Sequence, residues 1–317
     1  MPVATSILEK LNGYLAENPK PLIGAETIQL LLLREILDYT VLRTEETREL
    51  NSVNTPLSES DRTKVVKRVA FLGSKQKAAE SRQMEYLLRS AAAAAGKSIP
   101  SGKNGDGCYL KDNLCLNCPR CGLYGASALG DAANIKHRIE YATAFSLLPF
   151  DQISEEITFN AVDELSQTTG PALGRRNVVK PASLFPSIVT LKAVTREELI
   201  LTVKTLLACK SYGAEGRIGG DCRNTFLGVV AGWEEIITPL ELALELYDLK
   251  DKLEPAVLKT TLETKYKGLA GNPDRVTMLA PGDVDALVKE CAEVPLDGSF
   301  LDKAYNDIAE YRRAQAG

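Results

Sequence analysis

Cys108, Cys115, Cys118 and Cys121 fall within fourteen residues, in the segment GCYLKDNLCLNCPRCG. Four thiols so spaced supply four soft ligands to one tetrahedral ion, and Zn²⁺ held by four thiolates is the common structural case. The segment carries few apolar residues, so a bound metal would stand in for a core. Four unligated thiols this close would instead invite oxidation. An iron–sulfur cluster is the rival, because Cys115-x-x-Cys118-x-x-Cys121 opens a ferredoxin-like run. That run needs a further cysteine where Gly125 stands, and no proline follows it. Structural zinc is therefore the expected cofactor. His137, the only histidine, follows Cys121 by sixteen residues and reads as a surface or hydrogen-bonding residue; replacement of one cysteine ligand is the alternative. No nucleophile motif near it supports a Ser-His-Asp or Cys-His mechanism. Cys209, Cys222 and Cys291 are isolated and read as inert core thiols.

The second constellation is KSYGAEGRIGGDCRN, residues 210–224, where Gly213, Gly216, Gly219 and Gly220 interleave with Lys210, Arg217 and Arg223. Glycines let backbone amides approach an anion, and arginines fork onto phosphate oxygens. There is no GxxxxGK[ST] and no GxGxxG opening a helix, so spacing alone favours a plain solvated turn. The charge distribution shifts the reading. Residues 171–230 hold nine Lys or Arg against four Asp or Glu, whereas residues 231–317 hold seventeen acids against ten bases. A chain of net charge −4 thus gathers positive charge in its middle, as expected of a polyanion binder with an acidic outer face. Arg175, Arg176 and Lys180 form a second candidate phosphate clamp, and Arg43 and Arg48 a weaker one. Tyr212 is a candidate for stacking on bases, while Phe185 reads as core. Asp106, Asp131 and Asp221 could hold Mg²⁺ in a metal-dependent nuclease, but nothing selects one of them and they read as solvated charges.

The elements that must position these residues are legible in outline. The run at 28–41 reads as a first core strand, and 43–60 as a polar loop or arm. Residues 61–95 read as a basic helix and 96–107 as a linker to the cysteines. Two strands are expected at 138–148 and 156–162, with a flexible polar stretch at 163–174. Residues 185–194 read as a buried strand. Thr195 and Glu198 form a capping box that opens a helix ending at 209–210, and 226–230 is the next strand. Helices are expected at 2–17, 240–253, 256–267, 284–291 and 300–312, punctuated by Pro239, Pro255, Pro273 and Pro281. The chain shows no internal repeat.

The block at 175–233, containing VVKPASLFPSIVTL, the helix after it and KSYGAEGRIGGDCRN, resembles the backbone subunit of the type I-D CRISPR surveillance complex, the Csc-type Cascade backbone family. The likeness extends more weakly to residues 28–44 and to the cysteines. The family's proline–glycine pair before the strand is here Pro181-Ala182, and its Arg-Tyr-Gly-Ala is Ser211-Tyr212-Gly213-Ala214. The resemblance implies an α+β fold with a modified RRM-like (ferredoxin-like) core at 1–60 and 138–233. A cysteine-rich, zinc-binding insertion at 61–137 and a helical region at 234–317 complete the division. It further implies a non-catalytic scaffold whose copies line up along a guide RNA (crRNA) and present it to target nucleic acid, beside other subunits of the complex. A metal-dependent single-strand nuclease on the same platform and a zinc or iron–sulfur regulatory protein are the competing readings.

Composition bounds these readings. With 44% hydrophobic and 25% charged residues over 317 positions, the chain is globular. No stretch approaches the ~18–20 apolar residues of a membrane span. The first twenty residues lack the pattern of a secretory signal, and the cysteine usage fits a reducing compartment, so the cytoplasm is expected.

Overall fold

The computed structural model describes residues 6–43, 49–102, 105, 107–109, 113–127, 134–162, 165–213, 220–269 and 271–316. A 3-10 helix (Ile7–Tyr14) precedes β1 (Thr27–Ile36), the centre of the main sheet. The hairpin β2 (Ser52–Pro56) and β3 (Val65–Phe71) follows, then the long helix α1 (Gly73–Ala94). The cysteine segment carries the short α2 (Pro119–Tyr124). Next come β4 (Ile139–Tyr141), β5 (Ala144–Phe145) and α3 (Phe150–Ile153), leading into a hairpin of β6 (Ser154–Val162) and β7 (Thr169–Val179). Strand β8 (Leu184–Lys192), α4 (Arg196–Ala208) and β9 (Cys222–Gly232) complete the strand-rich part. The rest is α5 (Pro239–Asp248), α6 (Pro255–Lys265), the short β10 (Thr277–Met278), α7 (Pro281–Glu293) and α8 (Gly298–Ala316).

The main sheet runs in the order β10-β9-β1-β8-β4, with every neighbouring pair antiparallel. Successive side chains of a strand point to opposite faces, and β1 shows the consequence. Ile28, Leu30 and Leu32 join a core with Met84 and Leu88 of α1, Leu199 and Val203 of α4, Leu287 of α7 and Leu301 of α8. Leu31 joins a second core with Ile188 and Val230, closed by Leu242 and Leu246 of α5 and Leu258 and Leu262 of α6. Both faces of the sheet are therefore covered. Each such leucine contributes about 1.5–3 kcal/mol on burial.

Three sequence expectations change. Residues 61–95 are not one helix: β3 comes first, and Gly73 starts α1 where an added Cβ would lie 2.3 Å from the Tyr141 carbonyl oxygen. The stretch read as flexible at 163–174 is partly strand β7, paired along β6. The polar arm at 43–60 contains β2. Among the described residues, no helix is long and apolar enough to cross a membrane.

Buried charge locks helices to the sheet. Arg34 of β1 pairs with Glu80 of α1 at 2.7 Å and also reaches Ser187 Oγ, Asn224 Oδ1 and Tyr212 Oη. Burial works against the Arg34 charge, but Glu80 beside it holds the guanidinium pKa above its ordinary value. Tyr212 and Tyr141 donate to the two oxygens of Glu80, which completes its shell. Arg138 of the strand edge forks onto Glu198 of α4, the same glutamate that closes the capping box with Thr195.

Candidate metal centre and nucleic-acid interface

All four clustered cysteines are buried, and their sulfurs lie within 4.8 Å of one another. Zn–S bonds of about 2.3 Å require sulfurs about 3.8 Å apart in a tetrahedron, a spacing bracketed by the 3.3 Å between Cys108 and Cys121 and the 4.8 Å limit of the set, so small shifts seat one ion. The local chain explains the convergence. Leu116 adopts a left-handed φ of 61°, which turns the chain between Cys115 and Cys118. The Cys118 sulfur caps α2, accepting from the Cys121 N–H at 3.4 Å. The Cys115 N–H donates to the Cys108 sulfur, and the Asn117 N–H to the Cys115 sulfur, each at 3.4 Å. Buried Arg120 adds a charged donor to the Cys108 sulfur at 3.4 Å. Hydrogen bonds from Cys115, Cys118 and Cys121 pull the Cys108 thiol well below its usual range, whereas Cys118 and Cys121 are pushed up. Such a nest of donors suits thiolates bound to a cation. Ala126, Ile135 and Tyr311 of α8 pack on the cluster, so the insertion has an apolar cover that the cysteine segment itself does not supply.

Among the described residues, the four cysteines are the one group of His, Cys, Asp or Glu that converges for a metal. His137 is exposed and stands outside it. Of the three loop aspartates, Asp106 and Asp131 lie outside the described residues and Asp221 is exposed. Cys209, Cys222 and Cys291 are buried, and burial pushes their thiols up to about 11, 12 and 12, as inert core thiols should behave.

The basic candidates gather at one end of the main sheet, where β1 leaves it. There Ile36 and Leu37 bond to Ser183 and Asp221, and Thr40 bridges to Val179 at the end of β7. The neck of the glycine loop closes at the same place through Tyr212 to Gly220 and Ser211 to Asp221. Gly220 has φ +66°, and an added Cβ would lie 2.4 Å from the Gly213 nitrogen, so glycine is required at this closure. Lys180 and Lys210 stand at this end and, among the described residues, pair with no acid. Arg43 follows Thr40 on the same side, half-buried. Arg176 is half-buried on β7, and exposed Arg175 beside it faces Glu156 across the hairpin at 3.3 Å. Arg223 opens β9 and pairs with Glu35 of β1 rather than with an acid of the helical tail. Arg48 and Arg217 lie outside the described residues.

Tyr212 corrects the stacking expectation. It is 3% exposed, its ring meets Phe71 edge-on, and its hydroxyl belongs to the Arg34–Glu80 network. No ring face is open to a base. Phe185 is buried against Phe71, as expected. The acidic tail is also less of a free face than its sequence suggests. Glu245 holds Lys265 and Tyr266, Asp283 holds Lys10, and Glu290 caps the first helix at Ile7.

The sequence profile of the Csc2 CRISPR family matches residues 14–305. The chain belongs to the Csc2 family. Csc2 is the type I-D Cascade backbone family. The crystal structure of Thermofilum pendens Csc2 superposes with a TM-score of 0.65 at 20% identity, over 97% of this chain and 96% of that one. A chain of a solved CRISPR RNA-guided surveillance complex, described as pre-nicking, superposes with a TM-score of 0.52 at 13% identity, over 84% of this chain and 99% of that one. At such identities these likenesses concern the fold. A comparison with curated protein sequences gives no match. Within the Csc2 resemblance, Ala182 stands where the family's glycine is expected, and it has φ +63°, a left-handed conformation that glycine adopts without strain.

Proposed function

We propose that this Csc2-family chain binds guide RNA, multimerises along it and presents it for pairing with target nucleic acid, in the cytoplasm and beside other subunits of the complex. The observation that carries the reading is the convergence of Lys180, Lys210, Arg43 and the neck of the arginine-bearing loop at one end of the sheet. Cations grouped at a strand end suit a phosphate backbone, which is bound by charge rather than by sequence. A modified RRM-like core is supported by the chain order. β1, α1, β4, β8, α4 and β9 follow the βαββαβ pattern, and their strands lie in the order β9-β1-β8-β4. An ordinary RRM stacks bases on an open sheet face. Here α5 and α6 cover that face, which supports RNA running past the strand ends instead.

The division into a core at 1–60 and 138–233, an insertion at 61–137 and a helical region at 234–317 fits this reading once α1, packed on the sheet, is counted with the core. The hairpin β6–β7 bears Arg175 and Arg176 and supplies an arm for reaching a neighbouring copy along the guide. The four cysteines suit structural Zn²⁺, which would fix α2 and its flanking loops without taking part in chemistry. The reading is of a scaffold, not an enzyme. Size-exclusion chromatography with light scattering tests it: the purified chain should carry RNA and form multimers whose size grows with RNA length. Protein that stays monomeric on long single-stranded RNA and binds none of it would overturn the proposal.

A further inference from the structure

Leu37 and Tyr39 lie in the segment by which the chain leaves β1, and both are exposed, at 47% and 36%. On one side this segment bonds to the neck of the glycine loop. The Leu37 N–H donates to the Asp221 carbonyl at 2.8 Å, and the N–H of the next residue, Cys222, donates to the Lys210 carbonyl at 2.8 Å. On the other side, Thr40 and Val179 exchange both backbone bonds, at 3.1 and 2.8 Å, as an antiparallel pair. In that register Lys180 stands opposite Tyr39. Two exposed apolar side chains thus lie between Lys210 and Lys180. The tyrosine is also tethered at both ends: its N–H donates to Asp38 Oδ1 at 2.7 Å, and its hydroxyl to Glu155 Oε2 of β6 at 3.1 Å. Both acids beside the ring are therefore hydrogen-bonded to Tyr39 itself. Among the described residues, Tyr39 takes part in no ring–ring or cation–ring contact, in contrast to Tyr212, which meets Phe71 and Arg34.

We propose that Tyr39 is a stacking platform for one base of single-stranded RNA, with Leu37 as its apolar edge and Lys180 and Lys210 taking phosphates on either side. A nucleotide brings a flat apolar ring and an anion together, which is what an exposed aromatic between two lysines matches. A protein surface covering the pair would have to desolvate both lysines as well, at a cost that only added acids could offset. The inference rests on the reading that the chain binds guide RNA. It supplies the base contact that buried Tyr212 cannot make, and because every base has a π-face it leaves binding tolerant of sequence.

The test uses the full chain with a labelled oligoadenylate short enough for one copy, beside an abasic strand of the same length. The parent should bind the base-bearing strand about tenfold more tightly, within the worth of one stacked base. Tyr39→Ala should close that gap. No phosphate contact goes with the ring, so salt dependence and melting temperature should hold. Tyr39→Trp should restore the gap, and its new indole emission, read against the parent's single Trp233, should be quenched when RNA binds. A parent that binds both strands equally, or a Tyr39→Ala variant that keeps the gap, overturns the platform. Equal loss of affinity for both strands with a shallower salt slope overturns it too, by giving the ring a role in placing Lys180. Shorter multimers on long RNA with the gap intact would make the pair a subunit contact, which is a third refutation. In each of these cases, salt-sensitive RNA binding by the parent leaves the guide-binding reading standing. A parent that binds neither strand removes that reading, and the platform with it.

Discussion

A divalent ion held by four thiolates carries a net charge of about −2 at the site, so the donors around the sulfurs decide how firmly it stays. Arg120 supplies the positive charge nearest Cys108, and backbone N–H groups serve Cys108, Cys115 and Cys118. Cys118→Ser should lose the metal and loosen the segment around α2 while the main sheet persists, because the sheet's cores lie elsewhere. Elemental analysis with circular dichroism reads both effects, and full metal occupancy in the variant would refute the assignment. Arg120→Ala should keep the fold but lower metal affinity about 10–100-fold, as chelator competition would show. In the glycine-rich loop, Arg217→Ala should weaken RNA binding by about 1–2 kcal/mol with thermal stability unchanged, since Gly216 and Gly219 border it in the sequence. Unchanged binding there would move the clamp to Lys180, Lys210 and Arg176. The cysteine cluster is legible because its spacing is local. The burial of Arg34, Arg68 and Arg138 is not, since only the assembled sheet reveals an arginine as a core strut rather than a phosphate ligand.

Elements defined by local chemistry follow the sequence closely, and those defined by distant partners do not. The capping box of Thr195 and Glu198 opens α4, and a second one, Thr238 with Glu241, opens α5. Strand β8 is readable from its apolar run after Pro181. Strand β3, by contrast, borrows its identity from β2 and β5, and nothing in VVKRVAF separates it from the helix after it. Strand β7 is polar and exists through pairing with β6. Two substitutions test element-level energetics. Ala182→Gly should stabilise the protein by about 1 kcal/mol by removing left-handed strain in the turn before β8. Glu80→Ala should destabilise it by about 3–5 kcal/mol, because it leaves Arg34 buried without its counter-charge. Urea titrations measure both changes. A neutral Glu80→Ala would mean that Tyr212, Asn224 and Ser187 alone satisfy the guanidinium.

At the scale of the molecule, covering both sheet faces removes the usual RRM platform and leaves strand ends, loops and the β6–β7 arm for contact with a polymer. Contacts of that kind are mostly electrostatic. Several cations of the central block are already engaged within the fold: Lys192 with Glu140 and Glu235, Arg196 with Glu290, and Arg223 with Glu35. The nine positive charges counted along the sequence therefore overstate what a polyanion meets. Lys180, Lys210 and Arg217 remain the principal candidates, with Arg175, itself beside Glu156, and Arg176 of the arm after them. Each phosphate neutralised on a single strand contributes about 0.7 to the slope of log affinity against log salt. Binding through three to five such contacts predicts a slope of about −2 to −3.5, well short of the roughly −6 that nine contacts would give. Affinity for a single-site RNA, measured across a salt series, distinguishes these cases. A slope near zero would sink electrostatic guide binding altogether. A slope near −6 would mean that the internal ion pairs of Lys192, Arg196 and Arg223 open when RNA binds, and that the sheet end rearranges on assembly.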